Sequence, residues 1–128
     1  MASQNNTGLQ FDLQHAITIV ATAAVAANRF AAYDGGHATS AGGAKDAQAI
    51  SQFAADPGQA FSAITSYSGL VEAGAAIAFG DYVKPAADGS GRAAVGTADD
   101  HCGRALGVAA GAGALFECQL VPHRHPAA

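Results

Sequence analysis

Turn signals recur along this chain so often that only short elements fit between them. Asp34-Gly35-Gly36, Asp56-Pro57-Gly58, Asp88-Gly89 and Gly111-Ala112-Gly113 each combine glycine, which accepts positive φ, with neighbours that favour tight turns. The stretches between them carry β-type alternation and no sustained helical period. That pattern predicts an all-β chain, built as a small β-barrel or jelly-roll-like sandwich, over a helical bundle.

The clearest predicted strand is 115–121, with Phe116, Cys118 and Leu120 on one face and Glu117 and Gln119 on the other. Residues 59–65 place Phe61 and Ala63 opposite Ser62 and Ile64, and residues 15–20 bring the β-branched Ile17, Ile19 and Val20. Shorter strands are predicted at 28–33 and 81–84. Residues 21–27 (ATAAVAA) have high helix propensity but follow a β-branched run without a cap, so they read as the approach to a turn.

The chain also reads as one unit written twice. Residues 23–31 align with 75–83, setting Val25 against Ile77 and Phe30 against Tyr82. Residues 53–61 align with 108–116, setting Ala55 against Ala110 and Phe61 against Phe116. Each unit alone would expose an apolar face that pairing buries, so the expectation is a single β domain over 14–122 with pseudo-repeats at 17–66 and 67–122. Residues 1–13 read as a flexible N-terminal arm, and 123–128 as a frayed C-terminal tail.

Composition narrows the function. Half of the 128 residues are hydrophobic, but aromatics are only 7%, tryptophan is absent and there are 16 glycines. Burial contributes roughly 25 cal/mol per Å² of apolar surface, so an alanine-rich interior stabilises weakly per residue. Glycine adds to the entropy lost on folding. Area shared with partner subunits would offset that weakness. Charged residues are only 12% of the chain, with a net charge of −4 and no Lys/Arg cluster, which argues against a nucleic-acid partner. The longest apolar run, 16–27, is interrupted by Thr18 and Thr22 and is too short for a bilayer, so no membrane partner is expected. The polar N-terminus lacks a signal-peptide pattern, which suggests synthesis in a reducing cytoplasm. Cys102 and Cys118 read as free, small, buried hydrophobes rather than a disulfide framework.

No set of residues reads as catalytic, metal-binding or cofactor-binding. Asp99-Asp100-His101-Cys102 has no second ligand pair at a converging spacing and reads as a polar loop before a strand. His123 and His125 flank Arg124 in the expected tail, where a preorganised site cannot form. His15 and His37 read as isolated surface or loop residues. Gly89-Ser90-Gly91-Arg92 is a degenerate dinucleotide fingerprint without the helix and acid that motif requires, and reads as a hairpin loop. Asp12, Asp34, Asp46, Asp56, Asp81 and Asp88 sit where short polar side chains cap turns.

Residues 70–84 (LVEAGAAIAFGDYVK), the Asp88-Gly89 loop, Arg92-Ala93, residues 102–106 (CGRAL) and residues 109–120 together resemble the small tailed-phage capsid cement (head decoration) proteins. The opening 17–30 segment is similar to that family's first repeat, so the resemblance spans about 17–122. The long 35–47 loop and the histidines near the C-terminus depart from its pattern. The resemblance implies a β domain on the outer surface of a phage head, bridging major capsid protein subunits and stabilising the shell, with no catalytic residue. Self-association is expected, a trimer before a dimer. Leu9, Phe11 and Leu13 alternate in the arm and are the expected interface anchors, adding a strand to a shell-protein sheet. The competing readings are a tail-tube or head-fibre module of the virion, and a small ligand- or sugar-binding β-sandwich that would need exposed aromatic platforms.

Overall fold

The computed structural model describes residues 16–124, so Leu9, Phe11, Leu13, His15 and His125 lie outside the described residues. Nine strands form two antiparallel sheets packed as a sandwich: β1 (Ala16–Val20), β2 (Phe30–Ala32), β3 (Ala47–Ser51), β4 (Ala60–Ile64), β5 (Ser68–Glu72), β6 (Tyr82–Pro85), β7 (Ala93–Val95), β8 (His101–Ala105) and β9 (Leu115–Arg124). The sheet orders are β1-β4-β3-β2 and β5-β9-β8-β6-β7. The all-β sandwich expectation holds. Each sheet uses one contiguous half of the chain and stays open, so the barrel alternative does not apply.

Every strand of the first sheet has a counterpart in the second, in the same order. Ile19 pairs with Phe61 on β1–β4, and Val71 pairs with Phe116 on β5–β9. The straps that follow β1 and β5 are fixed by corresponding backbone bonds. The Ala21 and Gln59 groups bond at 2.8 Å, as do Ala73 and Ala114. Val25 bridges to Ala55, and Ile77 bridges to Ala109. Asn28 and Gly80 occupy one equivalent left-handed position, at φ 60° and 86°, the conformation that asparagine and glycine best tolerate. The sequence alignment set Ala55 against Ala110, but the bridges set it against Ala109. The turn from Ala109 to Gly113 is one residue longer than that from Ala55 to Gly58, and the alignment slips there.

Residues 21–27 form no helix; they are the first strap, and its Val25 is buried. A second difference concerns the expected tail. Strand β9 runs on through His123 and Arg124, and His101 pairs with Arg124.

The core explains why the two units adhere. One cluster belongs to the first unit alone, joining Ile19, Ala31, Ala49, Phe61 and Ala63 to strap residues Ala21, Val25 and Ala55. The larger cluster is shared: Phe30, Ile50 and Ile64 pack with Val71, Ile77, Val83, Phe116 and Cys118 of the second unit. Half of the buried hydrophobic residues are alanines, so neither unit holds much side-chain volume by itself. Gly69 marks the crossing point, because a Cβ there would lie 2.9 Å from Ile64 Cδ1.

Candidate functional site

The junction between the units is built from the glycine-rich loop between β6 and β7. Its backbone runs into the first unit and is bound at each step. The Gly89 carbonyl faces His37 Nδ1 at 3.3 Å, the Ser90 carbonyl accepts from Arg29 Nη1 at 2.7 Å, and the Gly91 carbonyl accepts the Phe30 N–H at 2.8 Å. Glu72 then receives Arg29 Nη2 at 3.2 Å, with Arg92 Nε against the same carboxylate oxygen. Its own N–H donates to the Asn28 carbonyl at 2.8 Å. Gly91 is required here because its φ is 72° and a Cβ would come within 3.0 Å of both Arg29 Cβ and the Phe30 carbonyl. The segment that looked like a degenerate nucleotide loop is therefore a clasp between repeats. Its signal in the sequence was the Gly-Ser-Gly-Arg run, which carried no hint of its partners.

His37 is not an isolated surface residue, contrary to expectation. Its Nε2 accepts the Ala26 N–H at 3.0 Å while Nδ1 faces Gly89, which requires the neutral ring protonated at Nδ1. Burial pushes its pKa below the ordinary imidazole value, and nearby Arg29 adds to that against the opposing Gly89 bond. His123 likewise leaves the expected tail: only 2% of its side chain is exposed, and its ring lies 3.5 Å from both Asp46 and Asp100. Lys84 Nζ reaches Asp100 at 3.1 Å. Burial pushes the Asp100 carboxyl up, but Lys84 and His123 outweigh it and hold it below the usual carboxylate range.

The remaining sequence candidates resolve into structural roles. His101 packs at a tilt against Tyr82, with ring centroids 4.6 Å apart and planes at 48°. Cys102 and Cys118 are free and buried; burial pushes Cys118 up to about 12 and raises Cys102 well above its usual value, with Cys118 and Asp100 adding to that. Asp34, Asp81 and Asp88 cap turns by accepting the N–H groups of Gly36, Ala78 and Ser90. Among the described residues no cluster of three or more His, Cys, Asp or Glu is arranged to hold a metal ion.

What the surface offers is contact area. The first unit's docking row, Phe30–Ile50–Ile64, has as its register counterpart Tyr82–Arg104–Gln119 in the second. There Arg104 lies 4.3 Å over the Tyr82 ring and donates twice to the Gly80 carbonyl. The face that docks in one unit is thus a polar, Tyr/Arg-bearing outer face in the other, which ends the stack at two. Tyr and Arg are also the side chains that most often anchor protein contacts. Apolar side chains remain exposed elsewhere: Ile17 and Val20 on the edge strand β1, Phe53, Phe79 and Val108 on the loops, and Leu115 at the start of β9. A groove of about 410 Å³ opens between the units, with Tyr33 and Tyr67 on its wall.

No protein-family model matches the chain, and no curated protein matches it. The fold is shared with a phage protein. By structure the chain is similar to the head fiber gp8.5 N base of bacteriophage phi29, with a TM-score of 0.62 over 88% of this chain and 98% of that one. Identity across the match is 19%, so the likeness is one of architecture.

Proposed function

We propose that this chain is a structural protein of a phage virion, seated on the outer surface of the head. The fold-wide match to a head-fibre base carries this reading. The chain's own surface supports it: few charges, uncovered apolar side chains on a sheet edge and loops, and an outward Tyr/Arg face. In the finer form of the proposal it is a cement protein that bridges major capsid protein subunits. Each copy adds contact area to a closed shell and stabilises it by mass action. Self-association, as a trimer before a dimer, would multiply those contacts at a shell symmetry axis. Leu9, Phe11 and Leu13 would extend the contact along the shell protein.

The full chain should co-sediment with intact heads, and replacing Leu9, Phe11 and Leu13 together by serine should weaken that binding. Heads that leave the protein in the supernatant at every concentration tested would end the proposal; undiminished binding by the triple variant would end the role of those three residues. The specific neighbour also favours a second reading, the base module of a head fibre. A fibre base would occupy a few discrete sites, whereas cement would decorate the shell throughout, and electron microscopy of decorated heads separates the two.

A further inference from the structure

We propose, resting on the head-surface role, that the open edge of β1 takes up an extended, uncharged segment of the shell protein as a fifth strand of the first sheet. The two sheets have four edges, at β1, β2, β5 and β7. Among the described residues the fold engages three of them. In β2 the Phe30 and Ala32 N–H groups donate to the Gly91 and Gly36 carbonyls at 2.8 Å, and in β7 the Ala93 carbonyl accepts the Gly74 N–H at 2.8 Å. In β5 the outward Glu72 N–H donates to the Asn28 carbonyl of the first unit at 2.8 Å.

Val20 is the counterpart of Glu72, and no unit precedes the first to cover it. The backbone groups of the odd β1 residues point to β4, because Ile19 pairs with Phe61 and the Ala21 N–H donates to the Gln59 carbonyl. The outward backbone groups of Ala16, Thr18 and Val20 have no hydrogen-bond partner among the described residues. Proteins usually guard such an edge with charge, proline or a bulge. β1 (AITIV) has none of these: it pairs with β4 in unbroken register, and Ile17 and Val20 are 43% and 58% exposed.

The occupant follows from charge and from the repeat. A second copy stacked head to tail would present Gly80, the counterpart of Asn28. Its carbonyl is already taken by Arg104 Nε and Nη2, at 3.0 and 2.8 Å. The four strands of the first sheet contain no charged residue, so a charged incoming strand finds no counter-charge in the sheet. β-Branched or aromatic side chains pair best beside Ile17 and Val20. At its far end the edge is closed by Gly35, where a Cβ would lie 2.6 Å from the Val20 carbonyl. The added strand therefore extends the other way, past Ala16 towards residues 1–15. In the sequence Leu9, Phe11 and Leu13 are in phase with Ile17 and Ile19, so arm and edge offer the shell one continuous track.

The test uses the full chain and heads stripped of it. Amide hydrogen exchange at residues 16–20, followed by mass spectrometry, should slow about tenfold or more when heads bind. Thr18→Pro removes an outward N–H without touching the β4 ladder, and Val20→Lys places a charge on the edge. Both should fold with midpoints near wild type while head affinity falls about tenfold or more; if Thr18→Pro fails to fold, Val20→Lys decides. Wild-type binding with unchanged exchange at residues 16–20 overturns the proposal and leaves the head-surface role standing, as does undiminished binding by Val20→Lys. Failure of the wild-type chain to bind heads removes both. Exchange at residues 16–20 that slows with protein concentration in the absence of heads would mark β1 as a contact between copies and overturn the proposal too.

Discussion

Phe30 and Tyr82 hold equivalent positions in the two units but face opposite environments, so truncating each to alanine tests the shared-core account by contrast. Phe30 is fully buried in the cluster that joins the units. Its backbone is fixed on both sides, by the Gly91 carbonyl and by the Ala38 N–H, and much of its surroundings is alanine, so the site cannot collapse to fill the gap. Phe→Ala in such a site costs about 3–5 kcal/mol. For a domain of this size that lowers the melting midpoint by roughly 10–20 °C. Tyr82 is only partly buried and loses mainly its contacts with Arg104 and His101, so Tyr82→Ala should cost about 1–1.5 kcal/mol. Urea unfolding followed by far-UV circular dichroism gives both values. Each variant should show one transition with an unchanged slope, because neither unit's core stands alone. Equal costs for the two substitutions, or two separate transitions in the wild-type chain, would refute the reasoning.

Three further outcomes follow from particular contacts. His37 contributes stability in full above its unfolded pKa near 6.5, and that contribution is lost as pH falls below 6.5 and through its depressed folded value, because protonation removes the acceptor for the Ala26 N–H. His37→Gln should therefore flatten the decline in midpoint between about pH 6.5 and 5 relative to wild type, and an unchanged pH profile would count against the clasp. Cys102 and Cys118 should both resist a thiol reagent at pH 8 in the folded protein and react fully in denaturant, since burial keeps them protonated; fast labelling of the native chain would contradict their placement. The triple variant Tyr82→Phe, Arg104→Ile and Gln119→Ile gives the second unit the docking row of the first. It should convert the protein to concentration-dependent head-to-tail assemblies in sedimentation velocity, and one that sediments as wild type would show that this row does not limit the stack.

The legibility of the fold depended on side-chain size. Strands β4 and β9 were visible because Phe61 and Phe116 stand in alternation with polar neighbours, and β1 because of its isoleucines. Strands β3 (AQAIS), β5 (SGLVE) and β8 (HCGRA) escaped because small residues stand at two or more of the five positions in each and blur the period of two. Gly103 shows why such residues are needed: a Cβ there would meet Cys118 Sγ and the Gln119 carbonyl at 2.5 Å. His123 was misplaced because Pro122 and an alternating His pair look like the end of order, while its aspartate partners come from distant loops. The clasp was out of reach for the same reason, since its bonds run through backbone carbonyls that any sequence carries.

In the proposed role, this chain's surface stabilises a shell by contact. Heads stripped of the protein should be heated with and without the purified chain while genome release is followed with a DNA-binding dye. Cement predicts a higher release temperature that saturates as the decoration sites fill. A release temperature unmoved at full occupancy of the head surface would contradict it.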